Sequence, residues 1–153
     1  MRPYTSKQMG DACEMLVAGE VTLAGVPAIK VPDNWPDYDV IAQPKEQRPQ
    51  RISVKSRTFK RGGDTFVAYS AEDQFEWLAI VLLPGDGQTE RRFFIVPRKV
   101  ADAKARHDKA TSRTANERYW RQDEIPTLFA EYKSNFSLSM TGAVIPSGRS
   151  ETM

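Results

Sequence analysis

The chain has one cysteine and one histidine in 153 residues. A lone cysteine excludes an intramolecular disulfide framework, and a lone histidine beside it excludes a Cys/His zinc cluster. No apolar run approaches the roughly 18–20 residues that a membrane-spanning helix needs. The longest, "WLAIVLLP", has the length of a strand. The opening residues "MRPYTSKQMGDAC" lack the apolar stretch of a signal peptide, so cytoplasmic residence is the expectation. Gly62–Gly63 is not followed by Lys-Ser/Thr and a helix, which excludes a P-loop. Ser56 has no His or Asp company that would make it a nucleophile, and His107 lies in a charged stretch where solvation is its expected state.

What is present is ordinary in amount and uneven in placement. Hydrophobic residues make up 40% and charged residues 27%, as in a soluble globular domain. The length suits one domain with a real core, expected over residues 1–141, with a flexible tail over 142–153. Net charge is only +2, yet residues 45–61, "KEQRPQRISVKSRTFKR", hold seven Lys/Arg against one Glu. Such a run is either a solvated basic face or a surface that tracks phosphates. Arg51, Arg57, Lys60 and Arg61 are the phosphate-contact candidates. Arg113, Arg118, Tyr119 and Arg121 suggest a second basic patch.

Periodicity supplies the elements. Thr5 with Gln8 forms a capping-box pattern and opens a helix over residues 6–24. Met9, Ala12, Cys13, Leu16, Val17 and Ala24 fall on one helical face, and Glu20 intrudes on that stripe, where an edge salt bridge is the expected explanation. "GVPAIKVP" reads as a short extended segment. "YDVIAQP" and "RISVKSRT" read as strands that pair as a hairpin, and "TFVAYS" as another strand. "WLAIVLLP" fits a strand buried on both faces, with "RRFFIVP" returning beside it. "RKVADAKARH" reads as a helix, residues 108–123 show no clear period, and "EIPTLFAEYKSN" reads as a final helix. Trp77, Phe93 and Phe94 are expected to pack in the core; Trp35 and Tyr38 flank a turn, where packing outweighs base stacking. Helix, strands, then helices predict an α/β fold with one central mixed sheet flanked by helices.

Within "RISVKSRT", Ile52 and Val54 define a buried face, which puts Ser53 and Lys55 together on the other. Lysine is seldom buried without a partner, so Lys55 calls for an explanation. Asp39 opens the preceding strand, 16 residues earlier. A hairpin brings both to one sheet end, where simple electrostatic pairing is the plain reading.

The series "GDACE", "YDVIA" and "ISVKS", followed by "FEWLAIVLLP" and "RRFFIVPRKV", resembles the PD-(D/E)XK nuclease superfamily, the restriction-endonuclease-like fold. It is similar to small members such as archaeal Holliday junction resolvases and the PD-(D/E)XK homing endonucleases of group I introns. The resemblance spans residues 6–103. It implies a metal-dependent DNA endonuclease, with Asp39 as metal ligand, Glu14 completing the metal site and Lys55 at the scissile phosphate or the attacking water. Mg²⁺, or Mn²⁺, is the implied cofactor, DNA the partner, and a homodimer or homotetramer the assembly. Phosphodiester hydrolysis needs charge placed on a crowded phosphate and an activated water, which carboxylate-held Mg²⁺ and a fixed Lys supply. Ser53 departs from the pattern, which wants Glu, Asp or Gln there. Glu14 or Asp37 would then substitute, or the site is degenerate and the protein binds DNA, or serves as an assembly subunit, without cutting. A plain α/β domain with a protein partner is the third reading.

Overall fold

The computed structural model describes residues 2–62 and 65–142 of the chain. Its first element is helix α1, Ser6–Leu23. The Thr5 side chain accepts from Gln8 N at 3.1 Å, and the Gln8 side chain accepts from Thr5 N at 2.9 Å. Such a cap contributes about 1 kcal/mol. Burial of Met9, Cys13, Val17, Ala18 and Val21 contributes more, at roughly 1.5–3 kcal/mol for each large apolar side chain. Packing therefore holds the helix, and the cap sets where it starts. Ala12 and Ala24, expected on the buried face, are exposed, because the stripe runs at four-residue steps through Met9, Cys13, Val17 and Val21. Glu20 has no ion pair among the described residues, so the expected edge salt bridge is absent.

Among the described residues seven strands follow: β1 Ala28–Lys30, β2 Val40–Ala42, β3 Gln50–Thr58, β4 Phe66–Ser70, β5 Trp77–Leu83, β6 Arg92–Pro97 and β7 Glu117–Arg121. Five form the main sheet, in the order β1-β2-β3-β5-β6. Only β3 and β5 run parallel; the other pairs are antiparallel, including the expected β2–β3 hairpin. The sheet is mixed and carries helices on its faces, as the sequence predicts.

The alternation of β5 builds two cores from one strand. Trp77, Ala79 and Val81 pack with α1, while Leu78, Ile80 and Leu82 pack on the opposite side. That opposite face is covered by helix α2, Arg98–Lys104, by the short turn α3, Ile125–Leu128, and by a second sheet. This second, two-stranded sheet of β4 and β7 corrects the one-sheet expectation. Val67, Tyr69 and Trp120 press it onto the main sheet. The last expected helix is also corrected. Residues 122–132 form a single α turn between two 3₁₀ turns, and Phe129, at φ −117°, breaks the helical path. The tail expected from residue 142 lies, from residue 143 onward, outside the described residues.

Candidate active site

The site forms where β2 ends and β3 continues. The paired register runs from Ala42–Gln50 to Val40–Ile52, and β3 then extends to Thr58 with no strand on that flank among the described residues. Its outward backbone groups need other partners. Asp39, the residue before β2, supplies one: its Oδ2 accepts the Val54 N–H at 2.7 Å. The backbone of Asp39 is tied on both sides. Its N–H donates to the Ile52 carbonyl at 2.9 Å, and its carbonyl accepts from Val31 N at 2.9 Å. The position of this carboxylate is therefore fixed by three hydrogen bonds across β1, β2 and β3. The Val54 carbonyl turns to the same bare flank as its N–H, because both groups of one strand residue share a direction.

Glu14 approaches from α1. Its side chain is 18% exposed and meets Lys30 Nζ at 3.3 Å. Burial pushes its carboxyl above the usual range, and the nearby charge of Asp39 pushes the same way, against the pull of Lys30. The negative charge of Asp39 is thus felt at Glu14. Lys30, on β1, also reaches Asp33 at 2.8 Å, and Lys7 on α1 joins Asp33 at 2.9 Å and Asp11 at 3.1 Å. The two lysines hold the exposed Asp33 carboxyl down at about 2.

Ser53 and Lys55 leave β3 on the face opposite α1, beside Leu78 and Ile80 of β5. Ser53 is buried and Lys55 half-buried. Lys55 has no ion pair among the described residues, so its charge is uncommitted. Asp39 is bonded to the amide of Val54, the residue between them in the sequence. Asp37 is exposed in the preceding turn at φ +75°, and its charge acts on Arg51.

The phosphate-contact candidates divide. Arg51 is committed to Glu76: its N–H donates to Oε1 at 2.7 Å, its Nε lies 3.1 Å from both carboxylate oxygens, and its Nη2 completes the pair. Arg57 donates to the Phe66 carbonyl at 2.9 Å and to the Ser56 carbonyl at 2.7 Å. Lys60 and Arg61 are exposed. In the expected second patch, Arg121 is paired with Asp123 at 3.2 Å, and the Tyr119 hydroxyl donates to Asp108 at 2.8 Å. Sequence reasoning missed Lys30, Asp33 and Glu76. A lysine in the three-residue strand "AIK" was the one available signal for Lys30.

The donors gathered here, two carboxylates and a backbone carbonyl, are hard oxygens of the kind Mg²⁺ takes. Among the described residues, no three His, Cys, Asp or Glu side chains converge as a ready metal cluster. Mg²⁺ commonly uses one or two carboxylates with waters and substrate phosphate, so the residues fit such an ion, with few protein ligands.

No protein-family model and no curated protein matches the sequence. Solved structures do resemble the fold. A bacterial homing endonuclease, I-Ssp6803I, superposes with a TM-score of 0.57 at 15% identity, over 90% of this chain and 94% of that one. The Holliday junction resolvase Hjc from the archaeal hyperthermophile Archaeoglobus fulgidus gives a TM-score of 0.49 at 18% identity, over 80% and 88% of the two chains. The chain thus shares its fold, a five-stranded mixed sheet flanked by helices, with a nuclease.

Proposed function

We propose that this protein is a metal-dependent DNA endonuclease with Asp39, Glu14 and Lys55 as its working groups. The observation that carries the reading is the pinned Asp39 carboxylate, repelling Glu14 on one side and bonded one residue from an uncommitted Lys55 on the other. The I-Ssp6803I likeness makes DNA the expected substrate class.

Asp39 and Glu14 would hold the divalent ion, with Mg²⁺ or Mn²⁺ as the candidates. Bound there, the ion would supply a Lewis acid and a water of lowered pKa. Lys55 places its ammonium against a phosphate oxygen as negative charge develops. Asp39 stays oriented because Val54 holds one of its oxygens, leaving the other for the ion. Lys60 and Arg61 steer and anchor the DNA backbone through phosphate contacts. Exposed Met15, Leu23 and Ile29 support self-association through the α1–β1 side. No described helix is long and apolar enough to cross a membrane.

A second reading has its own support. Ser53 contributes no charge, and Lys30 already occupies Glu14. A protein with this site could hold DNA through its basic surface without cutting it. The test is incubation of plasmid, single-stranded and branched DNA with Mg²⁺ or Mn²⁺, beside Lys55→Met. Cleavage that needs both the metal and Lys55 is the expected result. Salt-dependent binding without cleavage would favour the second reading, and neither activity would overturn both.

A further inference from the structure

The Lys30 ammonium sits against the carboxylate that the proposed ion would need. Lys30 meets two carboxylates, and they differ. Asp33 is at 2.8 Å and stays exposed, while Glu14 is at 3.3 Å and is mostly buried. Lys7 anchors Asp33 from the other side at 2.9 Å, so the Lys30–Asp33 contact persists if Glu14 is given up. The charges of the free site also cancel. Glu14 and Asp39 supply two negatives, and Lys30 and Lys55 two positives. A divalent ion entering here adds to a site already near neutrality, and its easiest gain is the longer of the two Lys30 contacts.

We propose that Lys30 sets the cation affinity of the Asp39–Glu14 site by competing with a divalent ion for Glu14. This rests on the reading of the site as a metal site and assigns a residue that regulates it. In the free protein Lys30 keeps Glu14 oriented and engaged. On cation entry Lys30 keeps Asp33 and releases Glu14. Lys30 acts through Glu14 and is a positioning residue.

The test is Mn²⁺ binding without DNA, followed by electron paramagnetic resonance of the free ion at pH 8. The proteins are wild type, Lys30→Met, Glu14→Gln, Asp39→Asn and the Lys30→Met/Glu14→Gln double variant. Removing a partly buried competitor should tighten Mn²⁺ binding by about 2–5-fold in Lys30→Met. The gain should vanish in the Glu14→Gln background. Lys30→Gln serves as a second variant, and thermal melts confirm that each protein is folded. Unchanged or weaker binding in folded Lys30→Met and Lys30→Gln, with wild-type binding lost in Asp39→Asn, would overturn the role of Lys30 while keeping the metal site. An equal gain in the Glu14→Gln background would also overturn it, because the effect would then be one of general charge. No Mn²⁺ binding in any protein would remove the metal site itself, and the proposal with it.

Discussion

Two glutamates flank the start of the sheet, each facing a cation, and they end in opposite states. Glu76 receives a backbone N–H and a guanidinium from Arg51. Burial pushes its carboxyl up, but the hydrogen bonds and charge of Arg51 outweigh burial and hold it below the usual range. Glu14 has one lysine contact at 3.3 Å and a carboxylate neighbour, and its carboxyl is held above the usual range. The Arg51–Glu76 pair is closed: its charges are spent on joining β3 to the segment before β5. The Glu14 side is open: its one lysine contact is long and is shared with Asp33, so Glu14 is held less firmly. The difference separates a structural ion pair from a candidate site more sharply than residue type does, because both pairs join an acid to a base.

Breaking the open side should cost activity and little stability. Lys55→Met should lower cleavage by at least about 100-fold, because a fixed charge at a developing oxyanion is lost. Its melting temperature should stay close to wild type, since the ammonium has no partner to lose. Comparing single-turnover cleavage with thermal melts checks both halves. Wild-type cleavage rates in Lys55→Met would remove that residue from the chemistry.

Asp39 sits on both sides of the comparison. It caps Val54, which is structural, and it neighbours Glu14 at the proposed site. Asp39→Ala leaves the Val54 N–H unpaired and should destabilise by about 1–3 kcal/mol. Asp39→Asn keeps an acceptor for that N–H and should cost less than about 1 kcal/mol, while still abolishing cation binding. Chemical denaturation of the two variants separates the roles. Equal stability loss would show that the Val54 bond does not set the difference.

Much of this arrangement was legible in the sequence, and the misses share one cause. Thr5 and Gln8 marked the start of α1 because a capping box is local. The β2–β3 hairpin and the doubly buried β5 were also local signals of alternation and apolar run. β7 was missed because "ERYWR" earns its strand by pairing with β4, about 50 residues earlier, and only Trp120 in it is fully buried. "EIPTLFAEY" shows the opposite error. Ile125, Phe129 and Tyr132 are buried as the helical spacing implies, but packing between α2 and the sheet holds them on turns instead. Asp39, Lys55 and Glu14 were visible as residue types in order. Lys30 and Glu76 were not, because their partners are set by tertiary contact alone.

The closed pair should announce itself through pH. The Glu76 carboxyl is held below its usual value, so its contribution is present above the unfolded value, near 4.5, and fades as pH falls through the folded one. Glu76→Gln should therefore lose about 0.5–1 kcal/mol at pH 7, with solvent screening allowed for, and little at pH 3. Urea titrations at the two pH values test this. A penalty independent of pH would mean that packing, and not charge, holds this corner.

Glu14→Gln is the smallest effect and inverts the sign. The Glu14 carboxyl is held above its usual value, so stability falls as pH rises from the unfolded value, near 4.5, through the folded one, and the cost is in full force above it. A neutral glutamine removes that burden and the repulsion from Asp39, and it gives up only one long lysine contact. Stability at pH 7 should stay level or rise by a few tenths of a kcal/mol, while cation binding falls. A clear loss of stability would place Glu14 with Glu76 as a structural acid, and the contrast between the two sides of the sheet would collapse.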